Sequence, residues 1–190
     1  MVAATDDLVV LLDEAHRPVG TAPKSSVHHR DTPLHLAFSC YLFHSATQQV
    51  LVTRRALTKR TWPGVWSNAC CGHPKPDEDL VSAAERRVRE ELGLAVSGLR
   101  VVLPRFAYRA TDANGIVENE LCPVLVGVTD RDPEPDPAEV GAWSWTPWTD
   151  LRLVATRAPW AISPWAALQI PQLSEAAPNL GEVGSRPFRS

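Results

Sequence analysis

The chain has 190 residues, 44% of them apolar and 22% charged, with a net charge of -3, which suits one domain with a real hydrophobic core and excludes wholesale disorder. The acidic balance argues against general attraction to nucleic acid or an anionic membrane, so any anion site must be a local cluster of Lys and Arg. No segment approaches the roughly 20 consecutive apolar residues of a membrane span, and the chain does not open on a basic stretch followed by an apolar one, so cytoplasmic residence is expected. In chain order, Val9 to Leu12 reads as a strand, Asp13 to Gly20 as a turn, and Leu36 to Phe43 and Val50 to Thr53 as strands of a sheet. Thr58 to His73 is rich in breakers (Trp62-Pro63-Gly64, Cys71-Gly72-His73-Pro74) and is expected to be an irregular, site-bearing loop. Asp77 to Leu92 reads as a helix with Asp77 as N-cap, acids in its first turn and Gly93 as its stop. Val101 to Leu103, Phe106 to Thr111, Val117 to Val128 and Ala142 to Trp145 return to strand character. The Pro-rich run from Pro133 to Pro137 is a stiff surface connection, and Leu151 to Leu173 contributes helical pieces over the site. One domain over 1–177 with a loose tail over 178–190 is the expected organisation.

The chemistry-bearing residues cluster. At about 100° per residue, Leu80, Val81, Ala84, Val88 and Leu92 form the packing stripe of the helix, and Glu91 projects into it while Glu90 points away. A carboxylate aimed into an apolar stripe needs a cation, which makes Glu91 a candidate metal ligand, and Arg87 lies one turn before it. Glu118 and Glu120, two apart in an extended run, share one face of a strand flanked by apolar residues. His28 and His35 bracket a turn, and His73 follows Cys71; His29, beside His28, is an alternative to it. Three imidazoles and two carboxylates suit a six-coordinate Mn²⁺ or Mg²⁺ more than a closed tetrahedral zinc. Cys40, Cys70, Cys71 and Cys122 lack the spacing of a disulfide framework and read as free thiols.

The helix region resembles the Nudix box: Gly, five residues, Glu, seven residues, Arg-Glu, an apolar residue, any residue, Glu-Glu, any residue, Gly, apolar. Gly72, Glu78, Arg86, Val88, Glu90, Glu91, Gly93 and Leu94 match, and Arg87 stands where the box has glutamate. The resemblance implies a Nudix-type α/β/α sandwich with a mixed sheet, a divalent ion and a diphosphate. The missing glutamate weakens the hydrolase assignment.

More of the chain, from about Leu8 to Leu168, resembles the type 1 isopentenyl-diphosphate isomerase family. The resemblance rests on the blocks Thr32 to Phe38, Arg54 to Lys59, Trp62 to Trp66, Asn68 to Pro74, Tyr108 to Asp112, Gly115 to Pro123 and Ser163 to Trp165. It implies interconversion of isopentenyl and dimethylallyl diphosphate through a tertiary carbocation, within isoprenoid biosynthesis. By resemblance, Cys71 and Glu120 are the acid and base, in an order left open, Trp165 faces the cation and Tyr108 assists near the glutamate. His28, His35, His73, Glu118 and Glu120 would hold one Mn²⁺ or Mg²⁺. Glu91, with the Cys71 carbonyl, would meet a Mg²⁺ carried in by the diphosphate. Lys24, Arg55, Lys59 and Arg87 match the diphosphate contacts, although Lys59, beside Arg60, also reads as surface charge. The implied partner is a small isoprenoid diphosphate, with no nucleic acid or membrane; a monomer is favoured and the oligomeric state left open. The competing readings are a Nudix hydrolase of a nucleoside diphosphate derivative and a catalytically silent Nudix-like binding module.

Overall fold

The computed structural model describes residues 8–181. In chain order the elements are β1 (Leu8–Leu12), β2 (Pro18–Pro23), α1 (Lys24–Val27), β3 (His35–Leu36), β4 (Phe38–His44), β5 (Val50–Arg55), β6 (Trp66–Ser67), β7 (Cys70–Gly72), α2 (Leu80–Leu92), β8 (Ser97–Leu103), β9 (Ala107–Thr111), β10 (Val117–Leu121), β11 (Val124–Thr129), β12 (Val140–Thr146), α3 (Trp148–Arg157), a 3-10 turn over Pro159–Ala161, and α4 (Pro164–Ala176). One sheet has the order β2-β1-β3-β10-β9; the other runs β12-β5-β4-β11-β8, with β6 paired to β5 and β7 to β4. Both are mixed, through the parallel pairs β3–β10 and β4–β11.

Strand β4 explains the layering. Its run of seven residues is buried along nearly all its length, as a strand covered on both faces must be. Phe38, Cys40 and Leu42 pack with Ala84, Val88 and Leu92 of α2, while Tyr41 and Phe43 pack with Trp148, Leu151, Trp165 and Ile170 of α3 and α4. The sheet thus has one helical layer on each side, the expected α/β/α sandwich. No helix among the described residues is long and apolar enough to cross a membrane.

Several boundaries differ from the sequence reading, beginning with the strand expected over Leu36 to Phe43, which is split so that Leu36 belongs to β3 of one sheet and Phe38 onward to β4 of the other. The helix starts at Leu80, not near Asp77: Asp79 is the N-cap, accepting from the backbone N–H groups of Val81 and Ser82, and the first turn carries no acid. Asp77 instead sits at φ 64° in a tight turn closed by the bond from Glu78 N to Lys75 O. Gly93 ends the helix at φ 65°, as expected. The run Val117 to Val128 is two strands, because Pro123 carries no ladder donor and the chain there passes from one sheet to the other. The loop Thr58 to His73 contains β6 and β7, and β2 begins within the expected turn. Of the loose tail expected over 178–190, residues from 182 onward lie outside the described residues, while Leu180 is buried in the core.

Candidate active site

The strand registers decide which side chains meet. Strand β7 pairs antiparallel with β4, setting Ser39 opposite Cys71 and Cys40 opposite Cys70. Side chains alternate along a strand, so of two adjacent thiols Cys70 enters the core beneath α2 and Cys71 turns toward Trp165. Strand β10 lies between β3 and β9, with Glu120 opposite both His35 and Tyr108. His28, just past α1, is brought beside β10 by the bond from Val117 N to the His29 carbonyl, 2.9 Å. Gly72 lets α2 approach, because a Cβ there would meet Arg87 Cγ at 2.9 Å.

One cavity of about 500 Å³ is lined by residues from α1, β7, α2, β9 and β10, together with Ala37 between β3 and β4. Of the site residues singled out from the sequence, Lys24, His28, Arg55, Lys59, Cys71, His73, Arg87, Glu91, Tyr108, Glu118, Glu120 and Trp165 line it, whereas His35 is fully buried and does not. His29 and Cys70 do not line it either. Of the remaining box residues, Glu78 and Arg86 face each other in a bidentate ion pair of 2.7 and 2.8 Å. Glu90 is exposed and accepts from Arg87 Nη1 at 2.8 Å.

Within the cavity one wall is a cluster of imidazoles and carboxylates. His35, His73, His28 and Glu120 each offer one ligand atom, all within 4.8 Å of one another. Glu120 Oε1 is 3.5 Å from His35 Nε2 and 3.6 Å from His73 Nε2, and Glu118 Oε2 is 3.4 Å from His28 Nε2. The His35 Nδ1–H donates to the Pro33 carbonyl at 2.9 Å, so a neutral His35 turns the lone pair of Nε2 inward, where it meets His73 Nε2 at 3.2 Å. Two ring nitrogens and a carboxylate oxygen converging in a buried place require a cation or a proton between them, and a backbone carbonyl that fixes the outer nitrogen is the usual support of a metal-binding histidine. The residues present therefore fit a divalent metal ion.

Burial is the largest influence on these groups and drives them apart. It pushes His73 down to about 4, with the other imidazoles adding to the effect. It pushes Glu118 up, reinforced by the negative charge of Glu120. For Glu120 the same burial is outweighed by hydrogen bonds with His35 and His73, which hold it well below the usual carboxylate range. The Tyr108 phenol stays protonated, raised by burial and by the charges of Glu120 and Glu118.

The opposite character prevails around Cys71. Burial pushes this thiol up to about 11, against hydrogen bonds from Ser39 and Asn68 that pull it down. Its Sγ lies 3.4 Å from Ser39 Oγ and 3.3 Å from both side-chain polar atoms of Asn68. Asn68 also donates to the carbonyls of Cys40 and Cys70 and accepts from Trp165 Nε1 at 2.9 Å. Ser39 in turn receives Gln169 Nε2 at 2.9 Å, and Gln169 Oε1 accepts from Tyr41 at 3.0 Å. Trp165 is walled by aromatics, with ring centroids 5.8 Å from Tyr108 and 5.9 Å from Trp62. Ser39, Asn68 and Gln169 were not singled out from the sequence; the only signal was a cluster of polar types inside otherwise apolar runs.

On the α2 side of the cavity, Arg87 pairs with Glu91. Burial raises Glu91 even against that guanidinium, whereas Arg87 keeps its charge through Glu91 and Glu139. Arg55 is anchored by Nε and Nη2 to the Thr61 carbonyl at 3.1 and 3.0 Å.

The NUDIX domain model matches residues 33–168. Over 172 residues the chain is 60% identical to the isopentenyl-diphosphate Delta-isomerase of Frankia alni, covering 90% of this chain and 88% of that one. The chain belongs to the NUDIX family and, within it, to the isopentenyl-diphosphate Delta-isomerases. The isomerase of Kocuria rhizophila is 57% identical, with 91% of this chain and 97% of the relative covered. Among solved structures, DR0079 from Deinococcus radiodurans superposes with a TM-score of 0.65 at 19% identity, covering 87% of this chain and 98% of that one. The MutT protein of Methanosarcina mazei gives 0.58 at 16% identity, covering 75% and 94%. At such identities these two likenesses speak for the fold alone, whereas membership of the isomerase family rests on sequence.

Proposed function

We propose that this chain interconverts isopentenyl diphosphate and dimethylallyl diphosphate by moving one proton onto a carbon skeleton and another off it. The observation that carries the reading is that Cys71 and Glu120, which come from two different sheets, line one cavity together with Lys59 and Arg87. An isolated double bond is a weak base, so protonating its terminal methylene creates a tertiary carbocation; loss of a proton from the chain carbon on the other side of the branch forms the new double bond. Two proton-carrying groups are required, one for each carbon. Cys71 and Glu120 are the pair in this reading. Without bound ligands the thiol keeps its proton and the carboxylate has lost its own.

The cation needs electron-rich walls and no nucleophilic water. The Trp165 ring, held by Asn68 and flanked by Tyr108 and Trp62, supplies such a wall, and Tyr108 lies opposite Glu120 in register, where its phenol assists. Lys24, Arg55, Lys59 and Arg87 bind the diphosphate and orient the alkene toward the thiol and carboxylate. His28, His35, His73, Glu118 and Glu120 would hold Mn²⁺ or Mg²⁺, and Glu91, together with the Cys71 carbonyl, would hold a second Mg²⁺ that accompanies the diphosphate. Such bound ions supply positive charge that favours the carboxylate form of Glu120 and partly neutralises the phosphates.

The test is incubation of the purified chain with isopentenyl diphosphate, Mg²⁺ and Mn²⁺ in D₂O. Deuterium-labelled dimethylallyl diphosphate is the expected product. Release of inorganic phosphate, or recovery of unlabelled starting material, would refute the assignment.

A further inference from the structure

The Pro-rich segment between Pro133 and Pro137 is more than a surface connection. Its backbone is fastened to the end of α2 by bonds from Glu134 N to the Leu92 carbonyl and from Asp136 N to the Glu91 carbonyl, both 2.9 Å. The residue it delivers is Glu139, whose own carbonyl accepts from Ala56 N at 3.0 Å and so ties the segment to the turn that carries Arg55 and Lys59. The Glu139 carboxylate then splits between two cations: one oxygen pairs with Lys59 Nζ, the other lies 3.3 Å from Arg87 Nη2. Lys59 and Arg87 line the cavity, whereas Glu139 does not. It pairs with both cations without itself lining the cavity, and Glu90 and Glu91 hold Arg87 as well. The Nε of Arg87 is buried without a hydrogen-bond partner, so that guanidinium retains an uncommitted donor.

We infer that Glu139 is a positioning residue that fixes Lys59 and Arg87, and through Ala56 the turn beneath Arg55, in the arrangement that receives a diphosphate. The inference rests on the diphosphate reading of that side of the cavity. Arg87 is also held by Glu90 and Glu91, but Lys59 comes from a loop and would otherwise be driven off by repulsion from Arg87 and by side-chain entropy, a loss taken from binding. Lys59 is 24% and Glu139 23% exposed, so their pairing is partly shielded from water. Because Glu139 touches neither the thiol nor the imidazole cluster in this arrangement, its loss acts on binding rather than on proton transfer.

Glu139→Gln preserves shape and removes the charge. Titration calorimetry of inorganic pyrophosphate with Mg²⁺ on the full chain, paired with steady-state kinetics on isopentenyl diphosphate, is the test. The expected result is a rise of about tenfold in both the pyrophosphate Kd and the KM, with kcat within about twofold of wild type. In a Lys59→Met background the same substitution should add less than about threefold, since one of its two partners is already gone. An unchanged or tighter pyrophosphate Kd in Glu139→Gln, with a wild-type melting curve, would overturn the inference, because Glu139 would then merely neutralise the cluster. Should Glu139→Gln fail to fold, Glu139→Asp, which keeps the charge and withdraws it by one methylene, takes its place with the same two outcomes. A wild-type chain that binds pyrophosphate in a Glu139-dependent way but turns over no isopentenyl diphosphate would sink the proposed function and leave Glu139 as assigned; a wild-type chain that binds no pyrophosphate would sink this inference.

Discussion

Asn68 is the most exacting place to perturb this protein, because one buried amide serves the thiol, the indole and two backbone carbonyls at once. It is 2% exposed. Substitution by Ala strips the acceptor from Trp165 Nε1 (2.9 Å) and the donor from the Cys40 and Cys70 carbonyls (3.1 and 2.8 Å). Ser67 keeps a partner, since its hydroxyl also lies 2.8 Å from Ser163 Oγ. An indole N–H left buried and unpaired costs about 1–3 kcal/mol, and each of the two weakened carbonyl bonds about 1 kcal/mol, so the total loss is about 3–5 kcal/mol. For a domain of this size each kcal/mol moves the melting temperature by about 2–4 °C, which places the expected drop near 10 °C by calorimetry. A second substitution sharpens the test. Trp165→Phe alone should cost about 1 kcal/mol, but introduced into the Asn68→Ala chain it should restore about 1–2 kcal/mol, because the orphaned donor is gone. A drop below about 2 °C in the single variant, or plain additivity in the double one, would refute this account of the site's support.

Cys71→Ala and Glu120→Gln should each abolish turnover of isopentenyl diphosphate while melting within about 3 °C of wild type, measured by deuterium incorporation and circular dichroism; residual activity above about 1% in either would remove that residue from the acid and base pair. Adding Mn²⁺ or Mg²⁺ to chelator-stripped protein should stabilise it by about 2.7 kcal/mol at a hundred times the dissociation constant, and His73→Ala should lose most of that shift in a thermal melt. A full shift in His73→Ala would place the ion elsewhere. Glu78 is held below its ordinary value of 4.5, chiefly by its hydrogen bond with Arg86. A depressed carboxylate contributes stability that is present above the unfolded pKa and lost as pH falls through the folded one. Urea unfolding of Glu78→Gln should therefore match wild type more closely near pH 3 than near pH 7; a constant gap between the two would contradict the pairing.

What the sequence made legible follows from the range of the interactions concerned. The body of α2 and its glycine stop could be read because helix periodicity and the left-handed cap are local. Its first residue was misread because the chain offers Asp77, Glu78 and Asp79 in succession, and any Asp can cap; the turn from Lys75 to Glu78 decides among them. The single strand expected over Val117 to Val128 failed for a related reason. Both of its halves are buried, so apolar character runs straight through the sheet change, and only Pro123 marks the break. Of the cavity-lining residues, Glu91, Glu118 and Glu120 emerged from helical and strand periodicity and His28 and His73 from their clustering with them, whereas Lys24, Arg55, Lys59, Tyr108 and Trp165 emerged only through motifs matched to a family. Glu139 and Asn68 escaped attention because their partners lie far along the chain, 80 residues away at Lys59 and 97 at Trp165, and nothing in their neighbours announces the contact.

The pairing of β7 with β4 has an evolutionary corollary. Two thiols stand side by side, so slipping β7 by one residue against β4 would still present a sulfur toward Trp165, now that of Cys70. The same slip would drag Asn68 away from the indole and displace His73 from the imidazole cluster. The sulfur is thus the one component with a spare, and the spare is useless without its neighbours. Insertions or deletions between Ser67 and Pro74 should be far rarer in functional descendants than substitutions at Cys70, because what must be kept there is the reading frame of a strand rather than the identity of one atom.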